Sequence, residues 1–163
     1  MNLVSDSFPS MSLVFEKGEN VMKSKPRREK SILSGTLGYI VVAGIVAFVV
    51  ELILYLVSTS QGNPIELTRT LVLTTAIVYE LLFVYTCRSK IPLTKIGIFS
   101  NKWLNIAVLG SLAAHLLLIY TSLGNLFQLV PLTLNNWIFI LPFAVSGLII
   151  FEIAKYVKMK RNK

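Results

Sequence analysis

An all-α integral membrane bundle, with four full transmembrane helices behind an N-terminal half helix, is the fold that three features of this sequence predict. Hydrophobic residues fill 54% of its 163 positions, and mean hydropathy is +0.68, too apolar for a soluble domain of that size. The apolar residues gather in four long runs, 33–57, 70–87, 103–121 and 136–156, each near the roughly 20 residues a helix needs to cross a bilayer. The basic residues collect in alternate connecting segments.

The runs follow one another with short, punctuated connections. Residues 3–15 form an apolar stretch too short to span, so 1–15 reads as half a helix. Gly18, Pro26, Gly62-Asn63-Pro64, Pro92, Gly97, Gly124 and Pro131 mark the turns between elements. Segment 16–32 carries six Lys or Arg, segment 88–102 four, and the tail from Lys155 five, together 15 of the 16 positive residues. Only Arg69 falls on the opposite side. The positive-inside rule therefore puts 16–32, 88–102 and the C-terminus in the cytoplasm. Tyr39, Tyr85, Trp103 and Tyr156 near inner ends, and Tyr55, Tyr120 and Trp137 near outer ends, agree with that frame.

This pattern also limits the function classes. The net charge of +8 follows the topology of the loops, so it is not a nucleic-acid footprint. A single cysteine, Cys87, rules out an intrachain disulfide. No Gly-rich phosphate-binding loop occurs, so the chain alone is not expected to hydrolyse ATP.

Polar groups at membrane depth are the informative ones, because each ionisable residue there costs roughly 2.5–3.5 kcal/mol on insertion scales. Asn2, Ser5 and Asp6 recur at i, i+3 and i+4, one helical face, with Pro9 placed to loosen the helix and free carbonyl oxygens. A carboxylate, an amide oxygen and a hydroxyl are what a hard cation accepts in place of water. The competing reading is a solvated acid on a short surface helix. Glu80 lies mid-run among apolar neighbours, as an ion ligand or as a protonated acid bonded to another helix. Glu51 reads as a snorkelling or interhelical hydrogen-bonding group. Glu152 reads as the partner of Lys155, and His115 as a neutral imidazole bonded to another helix. Gly35, Gly38, Ala43, Gly44 and Ala47 make a small-residue face that lets a second helix approach.

The order of these features resembles the P-type cation-transporting ATPases, most closely the calcium pumps of the sarcoplasmic or endoplasmic reticulum and the secretory pathway. Their sixth transmembrane helix reads Asn-Leu-Val-Thr-Asp-Gly-Leu-Pro-Ala; here Asn2-Leu3-Val4-Ser5-Asp6-Ser7-Phe8-Pro9-Ser10 stands in its place. The likeness continues through Met22, Pro26-Arg27, Ile32-Leu33-Ser34-Gly35, Arg69-Thr70, Leu109-Gly110-Ser111 and His115, essentially the whole chain. It implies that residues 1–163 form the C-terminal transmembrane domain of such a pump. Asn2, Ser5 and Asp6 would then be metal ligands, and Glu80 would match a Glu that binds one of two ions in the reticulum pumps. The transported ion would be Ca²⁺, or Mn²⁺. The phosphorylated Asp-Lys-Thr-Gly-Thr motif and the Thr-Gly-Glu motif lie upstream in that family and do not occur here. Met1 would sit at membrane depth, so the expected partners are the lipid bilayer and a missing N-terminal part of the pump carrying the remaining helices and the actuator, phosphorylation and nucleotide domains. Two other readings stay open at this point: a stand-alone helical subunit with a scaffolding or regulatory role, and a small proton-coupled carrier using Asp6 and Glu80.

Overall fold

The structure is a computed structural model that describes residues 7–16 and 36–161. Among the described residues there is no strand, and four helices are long and apolar enough to cross a membrane. A short helix, α1 (Ser7–Ser12), runs into a 3-10 turn at Leu13–Phe15. The long helices are α2 (Leu37–Ser60), α3 (Ile65–Cys87), α4 (Lys102–Tyr120) and α5 (Leu134–Arg161).

The helix ends shift from the apolar runs for local reasons. α3 starts five residues before position 70, directly after Pro64, whose carbonyl accepts Thr68 N at 2.9 Å. Proline cannot donate, so it suits the first turn and sets the boundary. Arg69, expected in a connection, is therefore helical. α5 continues five residues past 156 because Lys158, Lys160 and Arg161 lie in its last turn, where positive charge is stabilised by the helix dipole. α4 starts directly after Asn101, whose side-chain Oδ1 accepts Leu104 N at 3.0 Å as an N-cap.

α3 is the centre of the bundle and packs against α2, α4 and α5, most extensively against α5. Towards α4 it buries Ile77, Leu81 and Tyr85 with Leu93, Leu104 and Val108. Towards α2 and α5 it buries Leu71 with Leu54, Leu132 and Ile140. Apolar burial drives little association inside lipid, so interhelical hydroxyl bonds and close packing carry more of the specificity. Ser58 and Thr68 share one such bond at 2.8 Å, and Tyr39 and Thr86 another at 3.0 Å. These two bonds pin α2 and α3 in an antiparallel register from end to end.

The basic residues Arg88, Lys90, Lys95, Lys102 and Lys155 share one end of the bundle. At the far end the 121–133 connection is tied down on all sides. Arg69 donates to Gln128 Oε1 at 2.6 Å, Val130 N to Thr70 Oγ1 at 3.0 Å, and Tyr120 OH to the Leu132 carbonyl at 2.7 Å. Gly124 is required there, since a Cβ would meet the Leu118 carbonyl oxygen at 2.9 Å.

Candidate cation site and its buried ion pair

Asn2, Ser5 and Asp6 lie outside the described residues. What the structure describes is the segment that follows them. Pro9 lies buried in α1, and its carbonyl accepts Ser12 Oγ at 2.5 Å. α1 packs on α4 and touches α3, with Phe15 tilted against Trp103 at 5.6 Å between ring centroids.

Glu80 stands two-thirds of the way along α3, on an exposed face. Leu73, Ile77 and Val84, at i−7, i−3 and i+4, share its stripe. Leu13, at the end of the α1 segment, packs into the same cluster as those three residues. The fold thus brings the α1 segment to the side of α3 that carries Glu80. Among the described residues, no group of three His, Cys, Asp or Glu gathers as a metal site.

The interaction that sequence reasoning missed lies four residues beyond α1. Arg88, with its side chain fully buried, caps the end of α3 and grips Glu16 from two directions, Nε to Oε2 at 2.9 Å and Nη2 to Oε1 at 2.8 Å. Its Nη1 donates to the carbonyls of Gly97 at 3.1 Å and Ile98 at 3.2 Å, and Nη2 also reaches Ser100 Oγ. All five guanidinium donors are thereby used. Asn101 completes the arrangement: its Nδ2 donates to Glu16 Oε2 at 2.9 Å and to the Ser12 carbonyl at 3.2 Å. The Arg88 guanidinium, aided by Asn101, holds the Glu16 carboxyl below its usual 4.5 against the opposing effect of burial. A bidentate, fully donated pair of this kind is the strong class of charged hydrogen bond. Arg88 had counted only as a topology charge. Asn101, directly ahead of an apolar run, is a helix-start signal that points to this place; nothing in the sequence points to Glu16.

Two other expectations are met. Lys155 Nζ contacts Glu152 Oε1 at 2.8 Å, and Glu152 Oε2 also accepts Leu93 N at 2.7 Å. His115 is buried and its Nε2 meets Thr74 Oγ1 on α3 at 3.2 Å. Glu51 differs from expectation. Its carboxyl oxygens neither snorkel nor bond to another helix; both are buried without a hydrogen-bond partner among the described residues.

Three lipid-length helices around a central fourth, α3, with charged groups among the described residues confined to the helix ends and connections apart from Glu51 and Glu80, define a polytopic α-helical membrane domain. The family model for the C-terminus of cation-transporting ATPases matches residues 1–157, and the chain belongs to that family. It is 30% identical over 167 residues to calcium-transporting ATPase 1 of Schizosaccharomyces pombe, covering 99% of this chain and 19% of that protein. It is 32% identical over 146 residues to the calcium-transporting ATPase of Bacillus subtilis, covering 86% of this chain and 16% of the relative. Calcium-transporting ATPase type 2C member 1 of Mus musculus is 30% identical over 168 residues, covering 100% and 18%. The chain spans about a fifth of the length of these relatives.

Proposed function

We propose that this chain is the transport-domain part of an ATP-driven Ca²⁺ pump, supplying half of the intramembrane ion site and the helices that support it. The observation that carries this reading is the family match running through residue 1, which includes the Asn2, Ser5, Asp6 face. In this reading Asp6 provides the charge and Asn2 and Ser5 neutral oxygens, because a divalent ion stripped of water at mid-membrane needs both. Glu80 contributes from α3, on the side where the α1 segment packs. The basic end of the bundle faces the cytoplasm, and residues 1–163 act as one transmembrane domain with the lipid bilayer and the pump's other helices and catalytic domains as partners. The open face of α2, where a Cβ added at Gly38 or Gly44 would meet nothing within 4 Å, suits one of those other helices.

The test is ion-dependent phosphorylation in the pump that contains this chain. Asp6→Asn keeps shape and removes charge; it should abolish Ca²⁺-dependent phosphorylation by ATP while sparing phosphorylation by inorganic phosphate. Glu80→Gln should weaken Ca²⁺ affinity less, and Ser5→Ala least, since water replaces a hydroxyl ligand at small cost. An unchanged Ca²⁺ affinity in Asp6→Asn would overturn the ligand assignment.

A further inference from the structure

Five buried side-chain polar atoms lack a hydrogen-bond partner among the described residues, and four of them belong to Glu51, Thr75 and Tyr79. The three residues meet at one level of the bundle. Ser58 bonds Thr68 and Tyr39 bonds Thr86, so facing positions on α2 and α3 add to 126 and 125. Glu51 and Thr75 also add to 126, which sets them opposite each other. Tyr79 follows Thr75 by one turn on the same face and lies within electrostatic reach of Glu51. From α5, Gly147 leaves room for the phenol: a Cβ there would fall 2.5 Å from the Tyr79 hydroxyl oxygen. A carboxyl, a phenol and an alcohol thus converge where α2, α3 and α5 meet, well inside the apolar spans.

Orphaned polar atoms are rare in native interiors, and a cluster of them calls for a physical explanation. The donor set consists only of oxygens and includes one acid. An ionised carboxylate at this depth would be a bare charge in low dielectric, which costs several kcal/mol unless compensated. Among the described residues no fixed cation supplies that compensation. On α5 the nearest base, Lys155, is engaged by Glu152 at the basic end. On α3 Arg69 is engaged by Gln128 at the far end, Arg88 by Glu16, and Glu80 is exposed on the face beside Tyr79. On α2 the other titratable groups are Tyr39, more than three turns away, and Tyr55, one turn towards the far end.

We propose that Glu51, Thr75 and Tyr79 form an intramembrane proton-binding site, separate from the cation site, in which the Glu51 carboxyl holds the proton and the two hydroxyls bind its oxygens through a bridging water. Protonation converts Glu51 from an acceptor-only group into a donor and acceptor. The acid, the phenol and the alcohol then complete one another's hydrogen bonds with a single water, whose two to four required partners are present.

Infrared spectroscopy of the purified chain in lipid nanodiscs at neutral pH tests this. The carbonyl stretch of a protonated carboxyl should be present in the wild type, retained in Asp6→Asn and Glu80→Gln, and lost in Glu51→Gln. Tyr79→Phe should keep the band and shift it, because the water that bonds the acid loses one of its partners. If Glu51→Gln does not fold, the Tyr79→Phe shift alone decides, and an unmoved band overturns the proposal. Persistence of the full band in folded Glu51→Gln, or its disappearance from the wild type on adding Na⁺ or K⁺ at fixed pH, would overturn it too, the latter by showing a metal cation where a proton is assigned.

Discussion

α2 and α3 are adjacent, antiparallel and nearly equal in length, 24 and 23 residues, yet they live in different surroundings. In the most apolar stretch of α2 only 6% of residues are buried; in α3 the figure is 50%. α2 is the more uniformly apolar helix and α3 carries five threonines and two buried tyrosines. In water that ordering would be perverse. In a bilayer it is the expected one, because lipid accepts apolar side chains as readily as protein does, and hydroxyls are what gain from finding another helix. Burial in this chain therefore follows polarity and shape rather than hydropathy.

That contrast can be broken at the joint where α3 ends. Arg88→Met leaves Glu16 facing the interior without its partner, and removal of one member of a buried pair costs about 3–5 kcal/mol. Thermal unfolding in nanodiscs should show the largest loss of any single change at the basic end, and an unchanged midpoint would show that the pair carries no stability. Leu71→Ala on α3, 1% exposed, should cost about 2–5 kcal/mol through lost packing, whereas Phe48→Ala on α2, 66% exposed, should stay within about 0.5 kcal/mol. Equal losses would erase the distinction between the helices. Gly147→Ala presses a methyl into the Tyr79 ring and should cost about 1–3 kcal/mol; Gly44→Ala, which has open space, should be near neutral in this chain. The pump assembly proposed above sharpens the comparison, because there Gly44→Ala should become harmful where another helix covers α2.

The smallest expected effect is on pH. Glu16 is ionised more readily in the folded state than unfolded. Its contribution is therefore complete above the unfolded carboxylate value of 4.5 and fades as pH falls through the lower folded value. Melting temperature should be flat from neutral pH down to that range and then drop, less steeply in Glu16→Gln. Parallel acid limbs in both proteins would remove Glu16 from the account.

The four spans, their order and the alternation of basic ends were legible because the bilayer imposes length and charge rules that act residue by residue. Helix ends were less so: Glu66 and Arg69 broke the apolar run inside the first turns of α3, although Pro64 marked the true start. The pairing of His115 with α3 was readable as a rule about buried imidazoles, but its partner, Thr74, was not, since facing residues 41 positions apart depend on register. Glu51 shows the same limit. Its cost was visible in the sequence; its position opposite Thr75 and beside Tyr79 follows only from the bonds at the two ends of the helix pair. The Glu16–Arg88–Asn101 arrangement was opaque for a related reason, as it joins positions 72 and 85 apart.

The stitched connection at the far end has a consequence for mapping the molecule. Gly124 N bonds the Thr121 carbonyl at 3.1 Å, Phe127 N and Leu129 N both reach the Gly124 carbonyl at 3.0 and 2.9 Å, and α3 holds Gln128 and Val130 from below. A protease needs an extended substrate, and this loop offers one only after local opening. Resistance to cleavage between 121 and 133 would therefore report a folded surface rather than shelter by the bilayer. A small thiol reagent aimed at a cysteine placed at the exposed Leu126 would tell the two apart, since it asks for contact with solvent and no unfolding.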